Sequence, residues 1–165
     1  MTEPERTGAA GADHAGVRIA PPKLFLFSLV LGFVLDWLWP LGWLDAQPGW
    51  LRFGLGGLFV LAGIGIMAWA LGLFREAGTA VPPWEPTTAL VTAGAYRYSR
   101  NPMYLAVVLL YFGLSLLFAA AWPLMVLVPA LIVLHVAVIF REEAYLERRF
   151  GDAYRQYRAR VRRWF

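Results

Sequence analysis

Two adjoining stretches, MYLAVVLLYFGLSLLFAAA at residues 103–121 and WPLMVLVPALIVLHVAVIF at residues 122–140, contain no Asp, Glu, Lys or Arg. Each is near the roughly 20 residues a helix needs to cross a bilayer core. Their apolar residues run on without the polar intervals that a surface helix or a half-buried strand requires. Ala119-Ala120-Ala121-Trp122-Pro123 between them is short and uncharged, which predicts a tight helical hairpin.

Working outward, two more apolar blocks precede these, roughly Lys23 to Leu44 and Trp50 to Phe74. In the first, Asp36 reads as a helix-end carboxylate at the membrane interface beside Trp37 and Trp39, with Pro40 and Gly42 ending the span. In the second, Gly54, Gly56, Gly57, Gly63, Gly65 and Gly72 allow another helix, or a ligand, to approach the backbone closely, with close helix packing the plainer reading. The whole chain, 165 residues of which 59% are hydrophobic and 16% charged, reads as a polytopic, all-α membrane protein with about four transmembrane helices. It has no cysteine, which excludes disulfides, thiolate metal sites and a cysteine nucleophile. No metal-binding constellation is read from the sequence.

Residues 1–22 mix Gly, Ala, Pro and scattered charges without an apolar period and predict a disordered tail. They lack a short apolar core followed by a small-residue cleavage site, so the first span is expected to remain as an anchor. Residues 23–165 are expected to form one membrane-embedded domain. Beyond the last block, Tyr145, Leu146, Phe150, Tyr154, Tyr157 and Val161 recur at mostly helical spacing, with Arg on the other faces and Gly151 as a break. This predicts a C-terminal helical segment resting on the membrane surface.

Arg and Lys residues gather in the N-terminal stretch (Arg6, Arg18, Lys23), in the loop after the second block (Arg75, Arg97, Arg100) and at the C-terminal end, whereas the opposite connections offer Arg52 alone. The positive-inside rule then makes both termini and the middle loop cytoplasmic, and the protein a multi-pass protein of the cell inner membrane. That orientation also accounts for the basic C-terminal end without nucleic acid, so membrane lipids are the expected partners; oligomeric state is not legible.

Two polar islands fall on this side: Tyr96-Arg97-Tyr98-Ser99-Arg100-Asn101-Pro102-Met103-Tyr104 and Arg141-Glu142-Glu143. Charged groups beside hydrocarbon are costly and mark candidate functional sites. Adjacent Glu142 and Glu143 point about 100° apart on a helix, which favours one carboxylate facing a ligand and one paired with Arg141, Arg100 or Arg97. His135 precedes Glu142 by seven residues and is expected on the same face. Taken alone it reads as an interhelical hydrogen-bonding residue.

The run from Leu90 to Tyr104, followed by Glu142-Glu143, Leu146, Phe150-Gly151, Tyr154 and Tyr157, resembles the isoprenylcysteine carboxyl methyltransferase and phospholipid methyltransferase superfamily. The likeness covers roughly residues 78–163. It implies an integral membrane methyltransferase that uses S-adenosylmethionine and acts on a small amphiphilic or lipid-like acceptor through a carboxylate, an amine or a thiol. It further implies cofactor contacts at Thr88, Ala89, Leu90 and Val91, at Tyr96, at Asn101, Pro102, Met103 and Tyr104, and at Glu142. Candidates for catalytic work are Arg100, Arg141, Glu143 and His135. Two departures stand out. Many relatives have His where this chain has Asn101, which cannot take up a proton near neutral pH. The Arg that prenylcysteine enzymes place shortly before the Glu pair falls here at Val138. The loop 78–86, rich in Pro, is expected either to cover the cofactor or to serve as a simple linker. The competing reading of the same scaffold is a non-enzymatic small transporter or assembly factor.

Overall fold

A computed structural model describes residues 15–17, 19–82 and 85–164. Arg6, Arg18 and all of the expected tail except residues 15–17 and 19–22 therefore lie outside the described residues, as do Pro83 and Trp84 of the Pro-rich loop. The described residues contain helices and no strand: α1 (Pro21–Leu38), α2 (Gly49–Glu76), α3 (Pro102–Leu117), α4 (Trp122–Leu134), α5 (Phe140–Phe150) and α6 (Asp152–Arg160). A 3₁₀ turn covers Gly94–Arg97, and a π-helical stretch, His135–Ile139, joins α4 to α5 without a break.

Prolines set three of the starts. Pro21 and Pro22, Pro102, and Pro123 fall in the first turns of α1, α3 and α4, where a missing amide costs nothing and the fixed φ favours the helix. The first block is shorter at its far end than its composition suggested. α1 stops at Leu38 before Pro40, and the residues up to Leu44 form a loop. At its near end, part of the expected tail is packed against the protein: Ala15 is buried and the Gly16 carbonyl accepts a hydrogen bond from Arg141 Nη1 at 3.0 Å.

Three helices are long and apolar enough to cross a membrane: Pro21–Leu38, Gly49–Glu76 and the continuous rod Trp122–Phe150. The third block yields only the 16-residue α3, about 24 Å long at 1.5 Å per residue. It ends early because Ala119 adopts a left-handed φ of 54°. The amides of Ala119 and Ala120 then return to the carbonyls of Leu116 and Ser115, closing the helix in a Schellman motif. The rod Trp122–Phe150 has 29 residues, about 44 Å, and so exceeds a hydrocarbon core of about 30 Å. Its last turns, with Arg141, Glu142 and Glu143, therefore reach the interface.

The hairpin expected between α3 and α4 is tight in its connection but not in its packing. α3 packs chiefly on α2, and α4 on α1. Gly63 and Gly113 explain the first pairing. A Cβ on Gly113 would come within 2.6 Å of Val60 and 2.8 Å of the Gly56 carbonyl, and one on Gly63 within 2.9 Å of the Ala106 carbonyl. Close backbone approach of this kind drives helix association where lipid removes any hydrophobic preference. Gly54, Gly57, Gly65 and Gly72, also expected to admit a neighbour, meet nothing within 4 Å.

Asp36 does more than end a helix. Its Oδ1 accepts from the amides of Ala121 at 2.9 Å and Trp122 at 3.2 Å, capping α4 from a neighbouring helix. Nearer the other end, Tyr111 donates its hydroxyl to the Phe25 carbonyl and Ser28 donates to the Leu24 carbonyl at 2.6 Å. The first bond ties α3 to α1, the second stays within α1, and both satisfy hydroxyls that lipid would leave unpaired.

Candidate active site

The end of the bundle opposite Asp36 contains a cavity of about 580 Å³. It lies where the start of α1, the end of α2, the start of α3 and the helices α5 and α6 converge. Its two sides differ chemically. Phe25, Met67, Leu71, Phe74 and Val107 form an apolar wall from the spanning helices, and Tyr96, Tyr104, Glu142, Arg100 and Asn101 supply polar groups.

Each polar group has a local cause for its position. Gly94, at φ 55°, admits the 3₁₀ turn against Leu73 and Trp69, and that turn buries Tyr96. The Tyr96 ring tilts against Phe74 at 5.6 Å, and its carbonyl accepts the Tyr157 hydroxyl at 2.8 Å. Burial above all holds both phenols protonated well above the usual tyrosine range; Tyr157 and Glu142 add to the effect on Tyr96. Pro102 starts α3 so that Met103 and Tyr104, in its first turn, enter the cavity. Tyr104 donates its hydroxyl to Glu142 Oε1 at 2.9 Å across 38 residues of sequence.

Glu142 and Glu143 divide as their 100° separation suggests. Glu142 meets Tyr104 in the cavity. Glu143 is gripped by the fork of Arg163, with Nε at 2.9 Å and Nη2 at 2.6 Å, and by Arg100 Nη1 at 3.1 Å. Arg100 also donates to the Tyr154 hydroxyl at 3.4 Å, while its Nε is buried without a hydrogen-bond partner. Of the three Arg partners expected for the Glu pair, only Arg100 fills that role; Arg141 turns to the Gly16 carbonyl and Arg97 is exposed.

The described structure brings Ala89, Leu90, Val91, Tyr96, Arg100, Asn101, Met103, Tyr104, Glu142 and Glu143 to the lining of one cavity. Thr88, Pro102, His135 and Arg141 do not line it. Thr88 instead fixes the loop behind the wall. Its amide and that of Ala89 donate to the Thr79 hydroxyl at 2.9 and 3.4 Å, and its own hydroxyl donates to the Gly78 carbonyl at 3.1 Å. The Thr87 amide donates to the Tyr145 hydroxyl at 3.1 Å. Pro102 is buried in the first turn of α3.

His135 does not share a face with Glu142. The π-helical stretch takes up an extra residue between them and rotates the register, so His135 Nε2 sits 3.2 Å from Arg163 Nη1 and its ring meets Phe140. No spacing rule reveals such a turn. The roles of Arg163 and Thr79, and the bond from the Thr87 amide to Tyr145, were likewise not legible. The partners of their side chains lie 9 to 58 residues away in the chain, and nothing in the sequence sets Arg163 apart from the other C-terminal arginines.

No solved structure matches the chain. An uncharacterized protein of Haemophilus influenzae is 37% identical over 62 residues, which cover 38% of this chain and 98% of that relative. Residues 51–153, more than half of the chain and spanning α2 to the start of α6, match a family described as phospholipid methyltransferase. This match agrees with the motif order from Leu90 to Glu143 and with helices that bring those motifs to one cavity, and the chain belongs to the phospholipid methyltransferase family of membrane enzymes.

Proposed function

We propose that this protein uses S-adenosylmethionine to methylate a lipid-like or amphiphilic acceptor at the cytoplasmic face of the inner membrane. The observation that carries the reading is the single cavity in which Glu142, Tyr104 and Tyr96 face an apolar wall built from membrane-spanning helices. Its volume of about 580 Å³ is of the size that small-molecule sites occupy.

The residues present fit such a cofactor. The Glu142 carboxylate suits an ammonium or a ribose diol, and the rings of Tyr96 and Tyr104 suit an adenine or a cation. The partnerless Nε of Arg100 is a buried donor suited to a carboxylate. When bound, the cofactor supplies an electrophilic methyl group on a sulfonium. The chain's part is to hold the acceptor in line and exclude water, because this chemistry gains most from positioning and desolvation. Phe25, Met67, Leu71 and Val107 suit an acyl or prenyl chain entering from the bilayer. The cytoplasmic orientation is supported by the Arg residues concentrated at the cavity end of the bundle.

The test is a product assay. Purified protein is incubated with membrane lipid extract and cofactor, and the extract is searched by mass spectrometry for a component heavier by one methylene unit. The reading predicts such a component with wild-type protein and its absence with Glu142→Ala. Failure to find one, together with no demethylated cofactor formed in the presence of extract, overturns it.

A further inference from the structure

The residues after α6 turn back onto the site. Arg162 and Arg163 present successive carbonyls to the loop that leads into α3. The Arg162 carbonyl accepts the Arg100 amide at 3.0 Å; that of Arg163 accepts the Ser99 hydroxyl and Asn101 Nδ2, both at 3.1 Å. Three consecutive loop residues are thus tied to two consecutive strap residues. The Arg163 side chain anchors the strap from the other side. Its fork closes on Glu143, its Nη1 meets His135, and its guanidinium stands 5.2 Å from the centre of the Phe140 ring. Trp164 packs against the core that contains Phe25, Tyr111 and Leu134.

Arg163 does not line the cavity, yet Arg100, Asn101 and Glu143, which it or its backbone holds, all do. We propose that Arg163 is a positioning residue: by clamping Glu143 it fixes the C-terminal strap and thereby sets Arg100 and Asn101 at the polar mouth of the cavity. This rests on the cavity being the cofactor site. Glu143 Oε1 is shared between Arg163 Nε at 2.9 Å and Arg100 Nη1 at 3.1 Å. Without Arg163 the carboxylate has Arg100 as its remaining ion-pair partner in this network and draws its guanidinium toward itself, while the strap carbonyls lose their anchor. A lysine restores the charge but not the bidentate fork, so it restores the arrangement only in part.

The experiment compares the full chain in detergent as wild type, Arg163→Gln, Arg163→Lys and Arg158→Gln, the last altering an exposed pair with Glu147 outside the cavity. Calorimetry measures the affinity for S-adenosylhomocysteine, and hydrogen exchange follows the peptide that contains the Arg100 amide. Arg163→Gln is expected to weaken binding by about tenfold, the worth of one charge-assisted hydrogen bond, and to speed exchange at Arg100. Arg163→Lys falls between it and wild type, and Arg158→Gln stays with wild type. Wild-type affinity in Arg163→Gln, or unchanged protection of the Arg100 amide, overturns the proposal. Should Arg163→Gln not fold, Arg163→Lys carries both readouts. Wild-type protein that does not bind S-adenosylhomocysteine defeats the cofactor reading instead, and the exchange arm alone then judges whether Arg163 holds the strap.

Discussion

Replacing Glu143 with Gln keeps the side-chain volume and removes the charge that sits between two guanidinium groups. The structure sets the size of the effect. Glu143 is 12% exposed, Arg100 11% and Arg163 26%, and the carboxylate receives contacts at 2.6, 2.9 and 3.1 Å. Breaking a buried ion pair by removing one member costs about 3–5 kcal/mol, because the remaining charge is left uncompensated. Solvent screening at Arg163 argues for the lower end, about 3 kcal/mol. For a chain of this size that corresponds to a fall of about 6–12 °C in Tm. Thermal unfolding in detergent, followed by scanning fluorimetry, is the assay. Glu147→Gln removes a more exposed partner of Arg158 and is the comparison, with an expected loss of about 0–1 kcal/mol. In the double variant Glu143→Gln with Arg163→Gln the losses should fall well short of additive, since the second change relieves the charge that the first leaves unpaired. A Tm for Glu143→Gln within the range of Glu147→Gln would refute the buried clamp.

Gly113→Ala should cost about 1–3 kcal/mol or more, read as lowered Tm, because its Cβ meets Val60 and the Gly56 backbone, whereas Gly57→Ala, in open space, should be neutral or slightly stabilising. Asp36→Ala should lower stability by about 1 kcal/mol through loss of the α4 cap and leave ligand affinity unchanged by calorimetry, since it acts at the far end of the bundle. Thr79→Val should speed hydrogen exchange over residues 87–91 and weaken cofactor binding, with Thr79→Ser retaining both, because the hydroxyl holds two amides of the loop behind the cavity wall.

Much of the fold was legible because a bilayer imposes its own length. The four apolar blocks are visible as long runs, the last two without a charge, and the spacing of Tyr145, Leu146, Phe150, Tyr154 and Tyr157 shows the C-terminal helices. Helix pairing was not, for spans that are apolar on every face carry no stripe to say which neighbour they meet. Only contacts such as Gly113 on Gly56 settle that α3 belongs with α2. At the site, Tyr104 and Glu142 were legible as motif members beside hydrocarbon, and the 100° between Glu142 and Glu143 separated their surroundings. The face of His135 was not, because a π-helical turn has no sequence period. The α4 cap supplied by Asp36 and the clamp supplied by Arg163 were not legible for one reason: their partners are far along the chain, and each reads in sequence as an ordinary interfacial charge.

The central claim is that this cavity takes S-adenosylmethionine against Glu142. Calorimetric titration of the cofactor into wild type, Glu142→Ala and Glu147→Ala tests it most directly. The account predicts micromolar or tighter binding to wild type and Glu147→Ala, and a loss of at least about tenfold in Glu142→Ala, the worth of a hydrogen bond to a charged group. No heat with intact wild-type protein, or undiminished affinity in Glu142→Ala, would contradict it.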